Sequence, residues 1–91
     1  MYYVYILISK KDKNLYIGYT PNLKIRIQKH NAGFVQATKY RLPLTLIYYE
    51  AYASQVDAKR REKFLKGGKG HVELKIQLND SFKKFQYKHK L

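Results

Sequence analysis

A chain of 91 residues, 45% hydrophobic and 15% aromatic, is sized for one domain with a single core. It has no cysteine, which removes a disulfide framework, thiolate metal sites and a cysteine nucleophile, and suits a cytoplasmic protein. Nineteen basic against six acidic residues leave a net charge of +13, a field that favours polyanions through steering and counterion release. The expected partner is therefore nucleic acid; an anionic membrane is not expected, because no segment pairs a long apolar stripe with a basic face.

The first segment, Tyr2 to Ile8, is apolar or aromatic on both alternating faces, which predicts a strand covered on both sides. It is too short to span a bilayer and lacks the features of a signal peptide. A polar turn, Ser9 to Asn14, leads to a second strand over Leu15 to Thr20, so the two form a hairpin. Thr20 is expected to cap a helix with Pro21 at its first position, running to about Asn31 and stopped by Gly33. Within it Leu23 and Ile27 are predicted to anchor the helix to the sheet, with Arg26 and His30 at the edge of that stripe.

Residues 34 to 43 are irregular and basic, a surface loop. Leu44 to Tyr52 is a third strand, with Leu44, Leu46, Tyr48, Glu50 and Tyr52 alternating against Thr45, Ile47, Tyr49 and Ala51. Ser54 opens a second helix that ends at Gly67-Gly68, helped by Asp57 in its first turn. The glycine-rich run Lys66 to Gly70 lacks P-loop spacing and reads as a flexible connection. Residues 71 to 78 alternate like a strand but are composed like a helix. Phe82 to Leu91 is a basic tail or terminal helix, and no repeat or second domain is evident.

Few residues carry chemistry. Glu62 is the one carboxylate in Lys59-Arg60-Arg61-Glu62-Lys63 and shares a helix side with Ala58 and Leu65. It is either a surface carboxylate bridging its neighbours or a ligand for one hard divalent cation. Tyr5 and Tyr16 lie on opposite arms of the hairpin, with the register open. Gly18, inside a strand, suggests a close approach. Arg26 has the geometry to grip a phosphate, and His30 the chemistry to relay a proton or to serve a helix end. Histidines 30, 71 and 89 show no zinc-ligand spacing, and there is no serine-hydrolase elbow.

The ordered set Tyr3-Val4-Tyr5, ten intervening residues, Tyr16-Ile17-Gly18, then Thr20, Leu23, Arg26, His30, Asn31 and finally Glu62 resembles the GIY-YIG nuclease family. Arg61 to Gly67 is similar to the ending of its small stand-alone bacterial members, and the likeness covers roughly residues 1 to 80. Tyr3 stands where the family's first motif opens with glycine. The resemblance implies an α+β fold, a three-stranded antiparallel sheet flanked by helices in the order β-β-α-β-α-α, and a helix over 71 to 79. It implies roles as well: Tyr16 as general base or nucleophile-positioning group, Tyr5 supporting the attacking water, Arg26 steadying the scissile phosphate and His30 assisting. Glu62 would bind the single metal, Mg²⁺ or Mn²⁺, with Asn79 a looser match to a late asparagine near it. Val4, Ile17 and Gly18 complete the motif cores.

The leading expectation is a metal-dependent endonuclease acting on DNA. Its domain would span residues 1–80, followed by a basic segment 81–91. Lys59, Arg60, Lys63, Lys66 and Lys69, with the tail from Lys83 to Lys90, would hold the backbone. Protein partners and the oligomeric state stay open. The alternatives are a non-catalytic nucleic-acid-binding module that keeps the fold, and a basic structural protein whose tyrosines are all core.

Overall fold

The computed structural model describes residues 1–87, and the last lysines of the expected tail, Lys88 and Lys90, lie outside them. The fold is α+β. Among the described residues, strands β1 (Tyr2–Ser9), β2 (Leu15–Thr20) and β3 (Leu44–Tyr52) form one antiparallel sheet in the order β2-β1-β3, with four helices around it. These are α1 (Leu23–Asn31), α2 (Gln55–Lys66), α3 (Gly68–Gln77) and α4 (Asn79–Lys84). The central strand is β1, and Val4 to Ser9 are all buried, as a strand covered on both faces requires.

Strand periodicity sends even-numbered β1 residues one way and odd-numbered ones the other. Val4 and Ile6 join Ile17, Ala58, Leu65, Leu74, Leu78 and Phe82 in a core beneath α2, α3 and α4. Tyr5 and Leu7 join Leu44 in a smaller core, with Leu23 and Ile27 of α1 packed on it. Leu23 and Ile27 thus anchor α1 as their spacing predicts.

Four local expectations are corrected. First, the cap of α1 is Asn22, whose side chain accepts from the Ile25 N–H; Thr20 stays in the sheet opposite Tyr3. Thr20 is held in the sheet, and its hydroxyl accepts from the Asn22 N–H and donates to the Asn22 carbonyl, so the chain turns after it and the cap falls two residues later. Second, β3 does not alternate strictly. The register with β1 slips between Ile6 and Leu7, which face Tyr48 and Leu46, leaving Ile47 as the extra residue of a bulge. Leu44 and Leu46 therefore pack on the α1 side, and Tyr48 and Tyr52 on the other.

Third, the glycine-rich junction is no flexible connection. Gly67 is the single residue between two helices, and Gly70 sits inside α3 against α2, where an added Cβ would lie 2.1 Å from the Phe64 carbonyl oxygen. The helical alternative for 71 to 78 follows from that contact, because Leu74 and Leu78 reach the core only from a helix. Fourth, the 34–43 loop is not wholly superficial. Val35 and Thr38 are buried, while Arg41 ties the loop to the hairpin turn through Asp12 at 2.6 Å.

Candidate active site

The α1 face of the sheet gathers four of the residues singled out in the sequence. Across the hairpin Tyr5 faces Gly18 and Leu7 faces Tyr16, so Tyr5 and Tyr16 are diagonal neighbours on one face, ring centroids 6.3 Å apart. Gly18 is what lets Tyr5 lie flat across β2: a Cβ there would stand 2.4 Å from the Tyr5 ring carbon that carries the hydroxyl. The glycine of the second motif thus shapes the tyrosine of the first.

From α1, His30 enters the same core. It is fully buried rather than at the stripe's edge, with its ring 5.6 Å from that of Tyr5 and 5.0 Å from that of Tyr16. Its two nitrogens are both engaged, Nε2 with the Tyr5 hydroxyl at 2.8 Å and Nδ1 with the Thr38 hydroxyl at 2.8 Å. Arg26, one helical turn earlier, donates from Nε to the Tyr5 oxygen at 3.4 Å. The result is a linear chain, Arg26 to Tyr5 to His30 to Thr38, running from a part-exposed guanidinium to a buried hydroxyl.

The Arg26 charge does not lower the Tyr5 phenol on balance. Burial pushes the Tyr5 phenol up; the Arg26 hydrogen bond opposes this without winning, and the Tyr16 phenol and the Glu62 carboxylate add to the rise. Burial, then the Arg26 charge, pushes the His30 imidazole down to about 4. At neutral pH both groups are therefore uncharged. The Tyr5 hydrogen bond, ahead of a smaller contribution from Tyr16, outweighs burial and holds Arg26 above its ordinary value. The only fixed charge of the chain is the guanidinium.

Glu62 reaches this neighbourhood from α2. Its side chain is 23% exposed and pairs with Lys66 one turn later at 3.0 Å. Tyr16 borders a 230 Å³ pocket at the β2 edge together with Lys66 and His71, so this stretch of β2 and the end of α2 share one opening. Among the described residues no group of three His, Asp or Glu side chains could cage a metal. A single carboxylate does suit Mg²⁺ or Mn²⁺, which keep several waters and take further oxygens from a phosphate, and it does not suit zinc. The donor set fits a hard cation held by Glu62.

The basic residues divide. Lys59, Lys63 and Lys66 recur at intervals of four and three, flanking Glu62 on one side of α2, and Lys59 also lies over the Tyr19 ring at 5.3 Å. Arg60 turns toward a different pocket with Phe64, and pairs with Asp57 at 3.0 Å. Lys69 is exposed at the start of α3, and Asn79 is exposed at the start of α4 without a hydrogen bond to the cluster. Val4 and Ile17 are core residues of the opposite face.

Three participants were not singled out in the sequence. Thr38 gives no signal there, because it lies in an irregular loop. Asn31, seen only as part of the motif, clamps β3 with both side-chain atoms, donating to the Leu44 carbonyl at 3.1 Å and accepting from its N–H at 2.9 Å. Arg61, one more cation in a run, is wholly occupied by Glu50 at 2.9 Å and Glu73 at 2.8 Å.

Two strand phenols and an arginine from α1 gather on one face of a small antiparallel sheet, with Glu62 on a basic helix nearby, an arrangement that suits a nuclease-type domain. Residues 1–75 match the model of the GIY-YIG catalytic domain, and the chain belongs to the GIY-YIG family. It is 43% identical over 76 residues to UPF0213 protein SH2523 of Staphylococcus haemolyticus strain JCSC1435, covering 82% of this chain and 92% of that one. It is 46% identical over 65 residues to UPF0213 protein SpyM50708 of Streptococcus pyogenes serotype M5, 70% of each chain. To the UPF0213 protein in the ldhD 5′ region of Pediococcus acidilactici it is 40% identical over 84 residues, 87% of this chain and 83% of that one. These names state no activity. No solved structure matches at a significant level. The family implies a nucleic-acid substrate, and no helix among the described residues is long and apolar enough to cross a membrane.

Proposed function

We propose that the protein is a metal-dependent endonuclease that hydrolyses phosphodiester bonds in DNA. The observation that carries this reading is Arg26: a part-exposed guanidinium with phenols as neighbours and, among the described residues, no carboxylate partner. A part-exposed cation left uncompensated is a site for an anion, and its planar fork matches two phosphate oxygens.

In this reading the phosphate sits between Arg26 and Glu62. Bound there, Mg²⁺ or Mn²⁺ would be held by Glu62 and would supply charge neutralisation at the phosphate oxygens. Tyr16, part-exposed at the pocket mouth, relays the proton of the attacking water: its oxygen takes that proton as its own hydroxyl proton passes to solvent. The water oxygen bonds to phosphorus, the bond to the leaving oxygen breaks, and that oxygen is reprotonated from solvent. Tyr5 stays a neutral phenol. Its oxygen accepts from Arg26 Nε–H, its hydroxyl donates to His30 Nε2, and Thr38 accepts from His30 Nδ1–H, so the chain fixes the direction in which Tyr5 and Arg26 point. His30 in this role is an aligning group rather than a proton relay. Lys59, Lys63 and Lys66 grip the DNA backbone beside Glu62.

Incubation with linear, nicked, single-stranded and branched DNA in Mg²⁺ or Mn²⁺ tests the proposal. Cleavage is expected to vanish on chelation and to fall by more than about 100-fold in Tyr16→Phe and Glu62→Ala. Cleavage that persists in both variants removes the site assignment. Salt-dependent binding with no product under any condition favours the binding-module alternative instead.

A further inference from the structure

β1 offers two tyrosines to the α1 side, and only Tyr5 is taken up by the cluster. Tyr3 lies two residues earlier, roughly 7 Å along the same face. It belongs to a separate open groove of 650 Å³ that adjoins the cluster along α1. The rings of Tyr3 and Tyr49 stand edge to face in its wall, centroids 6.0 Å apart and planes at 63°. Leu23 and Leu46 form the apolar floor, while Lys24 and Gln28 supply the polar rim.

Several observations indicate that this groove has a ligand. Tyr49 is 51% exposed, an unusual placement for a large ring in a sheet whose opposite face is closely packed. Neither the Tyr3 nor the Tyr49 hydroxyl makes a hydrogen bond to another described residue, although Tyr48 and Tyr52 on the same strand both donate to Glu50. The groove and the cluster also share α1: Leu23 and Ile27 line the groove, and Arg26 of the same turn points to Tyr5. An apolar floor with aromatic walls repels phosphate and accepts a flat, weakly polar ring. The neighbouring guanidinium accepts the phosphate.

We propose that the Tyr3–Tyr49 groove binds one nucleobase, that of an unpaired or extruded nucleotide next to the phosphate held at Arg26. The inference rests on the nuclease reading and adds a substrate preference to it: the protein favours single-stranded or distorted DNA over regular duplex, whose bases are already stacked. Stacking on tyrosine tolerates any base, so the groove selects strandedness rather than sequence. Tyr3 replaces the glycine of the first motif, and with it a side chain that brings the second ring.

The test is a single-stranded oligonucleotide carrying 2-aminopurine, titrated in chelator at fixed salt. Wild-type protein is expected to quench the fluorophore. Tyr49→Leu, which keeps apolar bulk and lacks the π-face, should lose the quench and bind about tenfold more weakly with an unchanged salt slope, while Tyr49→Phe binds as wild type. An oligonucleotide with abasic sites in place of its bases should bind wild type more weakly by a similar factor, a comparison that needs no variant to fold. Equal affinity and quench in wild type and Tyr49→Leu, or no abasic penalty, would overturn the groove assignment. If metal-dependent cleavage is retained at the same time, the nuclease reading survives that result; if the wild type neither binds nor cleaves, both are lost.

Discussion

Each face of the sheet carries one arginine among tyrosines, and the two are treated in opposite ways. On the α2 side Arg61 is clamped by Glu50 and Glu73, while Tyr48 and Tyr52 donate to the same Glu50 carboxylate. Burial pushes Glu50 up, but the Arg61 hydrogen bonds, then those of Tyr48 and Tyr52, overcome it and hold the carboxyl below the usual range; burial together with Glu50 pushes the Tyr52 phenol up to about 12. Arg61 in turn is raised, first by Glu73 and then by Glu50. Charges there balance within the protein. On the α1 side Arg26 meets phenols and a neutral imidazole, so its charge is unspent. A saturated arginine stabilises, whereas an unsaturated one, held in place by groups that do not neutralise it, is available to a ligand.

The contrast predicts different failures on the two faces. The largest effect on stability concerns His30. Its folded value of about 4 lies below the ordinary 6.5, so the unfolded chain binds more protons between those values. Stability from this group is complete above about pH 6.5 and is lost as pH falls toward 4, on the order of 3 kcal/mol in all. Denaturant titrations from pH 7.5 to 4 should show a decline in wild type that is much shallower in His30→Gln. Equal slopes would mean that the imidazole is not buried neutral. Next, Arg61→Ala leaves two carboxylates unpaired, one of them largely buried, and should cost about 2–3 kcal/mol in thermal or denaturant unfolding. An unchanged midpoint would dissolve the distinction between the faces.

Smaller effects sharpen it. Thr38→Val removes the partner of His30 Nδ1 at nearly constant volume and should cost about 1 kcal/mol, while Thr38→Ser restores most of it. The His30 ¹⁵N shifts should move from one tautomer toward a mixture in the valine variant only. At the low end, Lys63→Ala should leave stability within a few tenths of a kcal/mol and lower the salt slope of DNA binding by about one, whereas Arg60→Ala, on the Asp57 side, should leave that slope nearly alone.

Much of the frame was legible in the residue order. Strand limits follow from apolar runs, and the Ser54 cap forms as expected, accepting from the Asp57 N–H. Tyr5, Tyr16, Arg26 and His30 converge because two strands and one helix with fixed spacing leave them one face to share. What was not legible depends on contacts distant in sequence. The Ile47 bulge needs the register of β1 against β3, and the Gly70 packing needs the carbonyl of a residue on another helix. The depth of His30 depends on Thr38 closing over it from a loop without periodicity. The pairing of Arg61 with Glu50 and Glu73 joins three elements, so a cation that reads as part of a binding run proves to be internal.

The central claim is that the uncompensated arginine serves the reaction and the compensated one serves the fold. It is tested most directly by single-turnover cleavage of a 5′-labelled branched DNA in Mg²⁺ with Arg26→Ala and Arg61→Ala side by side, each rate normalised to the folded fraction. The account predicts that Arg26→Ala loses about 100-fold or more in rate with an unfolding midpoint close to wild type, and that Arg61→Ala loses stability with a normalised rate within about threefold. Equal normalised rates in Arg26→Ala and wild type would contradict it.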